Sequence, residues 1–427
     1  MPSVSNQSCP NCGAPLPVQK AATQITCQFC GNVIRVEWTR QVPAMAQPLT
    51  LYVPPTVASA QLLLRVLVPV GLAMAFSVYH FAFNFNLTIQ SPIQQIVQKA
   101  GLGTVTFPAT CGLNQELEII GQTYEGDGTL ITGDVNCKVH IKDSKLKGTV
   151  VVLAKNLVEV TVENSTLTGT EAAIKTEMNS KIDAKRNSVI LGKVAAIDAG
   201  LNTGVTLTDS RVEGQELGIK TALNFELTAK GASIVGKQYA VRSEGNMKAS
   251  LTGTNARGER SALFTGYNLE LEMHGGKLEG NEAALTTTDA NANIRLSDGA
   301  EFVAKETALK TGSNLELSME DATLRAEETA IDAGVNPKLH LSAKARITGK
   351  RFALKLGHNL ELEMRNATID SDQVALCTAM NAQITARDST IRGGIEAFRM
   401  QRKPEQLELV STQVTGRQNF SGKGCSL

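Results

Sequence analysis

The chain has 427 residues and a formal net charge of +1, so no bulk charge draws it to nucleic acid. One Trp, five Tyr and twelve Phe are few for a conventional globular enzyme of this length. The eight cysteines lack the even spacing of a small disulfide-stapled secreted domain: four fall in the first thirty residues, and Cys111, Cys137, Cys377 and Cys425 are scattered.

The first thirty residues hold two CxxC pairs, Cys9/Cys12 and Cys27/Cys30, fourteen residues apart. Each pair can form a knuckle with two thiolates facing one ion, and four thiolates in tetrahedral array suit structural Zn²⁺. Gly13 and Gly31 follow the second Cys of each pair, where a tight turn benefits from the missing Cβ. The intervening stretch, including ATQIT, is expected to supply a short hairpin. Residues 7–37 resemble a zinc ribbon, within a module set at 1–40; an iron site and a redox dithiol are the alternatives. A closed four-Cys site leaves no open coordination position for catalysis. Lys20, Arg35 and Arg40, partly offset by Glu37, make a weak nucleic-acid surface, so a protein-docking role is expected instead.

Residues 41–61 form a Pro-rich, nearly uncharged linker. The stretch LLLRVLVPVGLAMAFSVYHFAF follows at 62–83; as a helix it extends about 33 Å, enough to cross a bilayer. A membrane helix is therefore expected at 62–85. It begins too far along the chain for a signal peptide. Arg35, Arg40 and Arg65 lie on its N-terminal side and the next basic residue is Lys99, which predicts a cytosolic N-terminus. Everything beyond is then extracytoplasmic, or periplasmic in a Gram-negative cell. Residues 86–103 contain SPIQQIVQKAGLG, in which Ser91 caps a short helix, Pro92 opens it, and Ile93, Ile96, Val97 and Ala100 share one face.

From 104 to 416 the chain repeats itself. Asn recurs at 114, 136, 156, 179, 202, 224, 246, 268, 291, 314, 336, 359 and 381, with gaps of 22 or 23 apart from one of 20. A second column pairs a small residue with an aliphatic one, as in Ala284-Leu285 and Ala330-Ile331. Such periodicity means stacked structural repeats. Within NLELEM, Leu269, Leu271 and Met273 share one face while Glu270 and Glu272 share the other, a period of two that marks a strand. Three short strands per repeat predict about 13 coils of a parallel β-helix, a rod roughly 60 Å long at the usual strand spacing. Asn tolerates left-handed corners, and its amides can ladder along the axis. The repeat resembles the right-handed parallel β-helix of pectate-lyase-like proteins, in architecture and not in any catalytic motif. Leucine-rich repeats share the period, but place Asn three residues after a Leu, not five. Residues 417–427 give no reading.

The residue after each column aliphatic is expected to face outward: Lys175, Asp198, Lys220, Arg242, Phe264, Thr286, Lys310, Asp332, Lys355, Cys377, Arg399. Alternating signs predict a self-neutralising face, with a basic stripe for an anionic polymer as the alternative. Glu270, Glu272, Glu316 and Glu361 recur as repeat positions and lack the asymmetry that splits pKa values in a carboxylate pair. Asp370 and Asp372 form a weak candidate Ca²⁺ pair. His140 and His340 fall nine coils apart, and no catalytic triad is evident. Phe264 and Tyr267 are the candidate contact patch. These readings predict a single-pass membrane scaffold with structural zinc, binding a protein or envelope polysaccharide and no nucleic acid. A polysaccharide lyase or hydrolase and a self-assembling envelope protein are the alternatives.

Overall fold

The computed structural model describes residues 24–26, 33–35, 105–288, 291–421 and 425. The four CxxC cysteines, the linker, the expected span at 62–85 and the capping helix near 91–103 lie outside them. Among the described residues no helix is long and apolar enough to cross a membrane. The chain divides into two units, 1–93 and 94–427.

In the first unit, β1 (Gln24–Thr26) pairs antiparallel with β2 (Val33–Arg35), with Ile25 opposite Ile34. ATQIT does supply a strand, but its partner lies beyond the second CxxC. The hairpin therefore brackets that pair, where the sequence reading placed it between the two pairs.

The second unit is mainly β, a right-handed parallel β-solenoid of about 14 turns. One turn consists of Leu269–His274, Lys277–Gly280 and Ala283–Thr287, and the next begins at Ala292–Ser297. Successive turns pair parallel and in register, Leu269 with Ala292 and Leu271 with Ile294. Leu269, Leu271, Met273, Leu278, Ala284 and Leu285 are buried while Glu270 and Glu272 are exposed, so alternation in the sequence becomes inside and outside of the rod. The core is one continuous cluster from Ala109 to Met400.

Thirteen Asn mark the first thirteen turns. The fourteenth strand of the first face, Gln406–Val410, follows Pro404 instead of an Asn, which is why counting Asn fell one short. At least nine of the thirteen Asn have left-handed backbone angles, for example Asn314 at φ 53°. Eleven amide–amide hydrogen bonds of 2.7–3.1 Å join them along the axis. The ladder breaks between Asn136 and Asn156, where the gap is 20. There Leu157 takes the left-handed position (φ 55°) and Asn136 N–H donates to Asn156 O, so the third corner is shifted by one residue.

A second left-handed column sits at the next corner and was not anticipated. It runs through Asp143, Asn164, Asp209, Gly231, Asp321, Asn366 and Asp388. A buried small residue follows each, such as Ser144, Ser165 and Ala322, and these serine hydroxyls donate back to nearby carbonyls. At the third corner Gly214 has no room for a side chain: a Cβ there would lie 1.6 Å from Leu217 O.

The end turns are less covered. Phe107 packs on Tyr124 at 4.5 Å at one end, and Leu407, Leu409, Val414 and Phe420 are half-buried at the other. Two disulfides join Cys111 to Cys137 and Cys377 to Cys425. Cys377 was expected to face solvent. It is buried, because Cys425 returns to the outer face and packs with Phe352 and Val374.

Candidate functional site

A shallow groove of about 740 Å³ lies beside the Asn ladder. Its floor is Asn224, Asn246, Asn268, Asn291 and Asn314, one per turn over five turns. Each interior amide spends one N–H and one oxygen lone pair on the ladder, which leaves a second N–H on each; Asn246 Oδ1 accepts a further bond from Asn268 N–H, and the other four oxygens keep a lone pair. The outward column of the adjacent strand forms one wall, with Glu226, Lys248, Glu270, Asn293 and Glu316 in register. That column alternates in sign elsewhere too: Glu116, Lys138, Glu159 and Lys181 occupy four successive turns. Lys248–Glu270 and Lys338–Glu361 both close at 3.2 Å. Glu270 and Glu361 are thus rungs of a charge ladder, and Glu316 is paired in register with Asn293 and Lys338.

The third-strand column lies as its spacing predicts, in register from Lys175 to Arg399. Asp198 pairs with Lys220 at 3.5 Å and Asp332 with Lys355 at 3.1 Å, while Lys175 turns to Glu171 at 2.8 Å. This face is largely self-neutralised. Phe264 is half-buried and packs against Tyr239 one turn earlier, with ring centroids 5.4 Å apart. Arg242 lies over both rings and Arg260 over Tyr239. Tyr267 is 60% exposed at the corner, outside this cluster. Tyr239 is the residue that the sequence reading passed over as the partner of Phe264; it stands in register with Ser261, and the column spacing sets Arg242 opposite Phe264.

His274 gathers the densest polar cluster. Its Nε2 lies 3.2 Å from Glu272 Oε1, and its Nδ1 lies 2.7 Å from Ser297 Oγ and 3.1 Å from Asp298 Oδ2. The hydrogen bond to Asp298, with Glu272 on the opposite nitrogen, raises the imidazole above its ordinary pKa against a small burial cost. Ser297 and then His274 hold Asp298 below the usual carboxylate range. Ser, His and acid do come together here, which a scan for local motifs missed because Ser297 lies one turn later. Yet Ser297 Oγ donates to Asp298 Oδ2 at 2.9 Å, so its proton is directed to the carboxylate and not to the imidazole. The two carboxylates also bind opposite ring edges and do not converge on one metal. Among the described residues no group of His, Cys, Asp and Glu converges on an ion.

His140 and His340 occupy one column nine turns apart, as expected. Asp370 is not a corner ligand for Ca²⁺. It lies buried in the strand Thr368–Ser371, and Arg392 takes both its oxygens at 2.7 Å. No family model matches the chain, and no curated protein matches it in sequence.

Proposed function

We propose that the protein is a membrane-anchored, non-enzymatic binding scaffold whose solenoid displays the Asn-ladder groove to an extended partner, an envelope polysaccharide. The groove itself carries this reading: five turns offer the same amide donor at strand spacing, and four of them an acceptor beside it, a surface suited to a chain of repeated hydroxyls. Charges along its wall are paired or alternate in sign, which favours a neutral or zwitterionic polymer over a polyanion. Two disulfides in the solenoid accord with an oxidising, extracytoplasmic location. The anchor is the apolar run at 62–83, and the cytosolic head is a zinc site held by Cys9, Cys12, Cys27 and Cys30, the last two bracketed by the paired strands β1 and β2.

The test is binding of the full-length chain to a panel of polysaccharides by calorimetry, with products assayed in parallel. Saturable binding without turnover, weakened at least tenfold by Asn246→Ala/Asn268→Ala/Asn291→Ala, is expected. New reducing ends or unsaturated products would identify a polysaccharide-active enzyme instead, and binding indifferent to that triple substitution would remove the groove from the proposal.

A further inference from the structure

Twelve large apolar side chains are exposed among the described residues, and they are not scattered. Seven stand directly before a ladder Asn: Leu113, Val135, Met178, Leu201, Leu223, Tyr267 and Val335. In the third turn Asn156 stands in register with Met178, and exposed Leu157 lies one residue beyond it, at the left-handed position. With Leu157 offset by one residue, Leu113, Val135, Leu157, Met178, Leu201 and Leu223 give six consecutive turns an exposed apolar side chain at this corner, a ridge roughly 24 Å long at strand spacing. Exposures run from 38% to 63%. A contiguous apolar row on a soluble surface marks an interaction site.

We propose that the first four turns of this ridge, Leu113 to Met178, are the contact between two copies of the chain, packed side by side and antiparallel about a two-fold axis between the second and third turns. Charges on both sides of the ridge specify the occupant and its direction. On one flank, successive turns carry Glu116, Lys138, Glu159 and Lys181. A two-fold axis across the rod reverses this order, so Glu116 meets Lys181 of the second copy and Lys138 meets Glu159. On the other flank Asp134 meets Lys155 of the second copy by the same operation. Along the ridge Leu113 meets Met178, and Val135 meets the corner of Asn156 and Leu157. An isologous interface must be self-complementary, and this sequence of signs is so only about that centre. The contact is confined to the corner and its two flanking columns, because two residues further out Glu118 would face Asp183 of the second copy.

Leu113 and Met178 of one copy lie three turns apart, roughly 14 Å by strand spacing, so a short crosslinker reports direction. Two differently tagged full-length copies are co-expressed, one with a photoreactive residue at position 113. Irradiation is expected to join it to the peptide around Met178 of the other copy. Crosslinking to the peptide around position 113 of the other copy means parallel packing, adducts with lipid alone mean that the ridge lies on a membrane, and no intermolecular product means that the chain does not pair here; each overturns the proposal. A second measurement uses charge. Lys138→Glu is expected to lower the dimer fraction at least tenfold, and Lys138→Glu/Glu159→Lys to restore it. If the double variant stays as monomeric as the single one, the pairing is wrong.

Discussion

Asp370 and Arg392 face each other across adjacent turns, and the guanidinium Nε and one terminal nitrogen each donate at 2.7 Å to a different carboxylate oxygen. Arg346 approaches the same carboxylate from the preceding turn at 3.7 Å. A fork gripping both oxygens is the geometry that lysine cannot reproduce.

Arg392→Ala leaves the buried carboxylate without its main partner, so the last turns should open at lower denaturant than the rest of the rod. Arg392→Lys should recover only part of the loss. Hydrogen exchange localised to 368–419 checks this, and uniform protection in both variants would sink it.

The ladder separates two contributions of one residue type. Asn268 and Asn314 each join the amide ladder, but only Asn314 among the two is left-handed, at φ 53°. Asn268→Ala should cost about 1–2 kcal/mol for its two exposed bonds. Asn314→Ala should cost a further ~1–2 kcal/mol, because alanine resists that backbone region. Asn314→Gly should return most of the difference. Equilibrium unfolding of the three variants gives the comparison directly.

His274 makes one region pH-dependent. Its folded pKa is raised, chiefly by the hydrogen bond to Asp298. The stabilisation is therefore complete below the ordinary histidine pKa of about 6.5 and is lost as pH rises through the higher folded value. NMR titration should show His274 protonating above the ordinary histidine pKa of about 6.5, and Asp298→Asn should lower its midpoint. A midpoint unmoved by Asp298→Asn would contradict the cluster's geometry.

The Cys377–Cys425 disulfide closes a loop of 48 residues and holds Cys425 against Phe352 and Val374. Cys425→Ser should cost about 2–4 kcal/mol at the C-terminal end. It should also raise binding of a hydrophobic dye, since Phe352 loses its cover. Limited proteolysis would then release the tail without cutting the remaining turns.

For the N-terminal module, Cys12→Ser should release bound zinc at neutral pH and leave the solenoid's unfolding unchanged, because a four-thiolate site loses most of its affinity with one ligand. Elemental analysis of the purified full-length chain before and after the substitution provides the measurement. Zinc retained at one equivalent would exclude Cys12 as a ligand.

The amino-acid order alone determined the repeat, its three strands and the identity of the inward residues. Parallel stacking turns a fixed period into a vertical column, so Lys175, Asp198 and Lys220 were legible as neighbours before any coordinates. Local order could not reveal the second left-handed corner, where Asp, Asn and Gly alternate and no one residue type recurs. Only the tertiary structure decided which neighbours engage: that Phe264 packs on Tyr239 and not on Tyr267, that Asp370 is consumed by Arg392, and that Cys425 returns to Cys377. The apolar ridge emerged the same way, from the exposure of the residues that stand directly before the ladder Asn in the early turns. Column membership follows from spacing along the chain, whereas pairing depends on side-chain direction and reach across about 5 Å between turns, which periodicity does not encode.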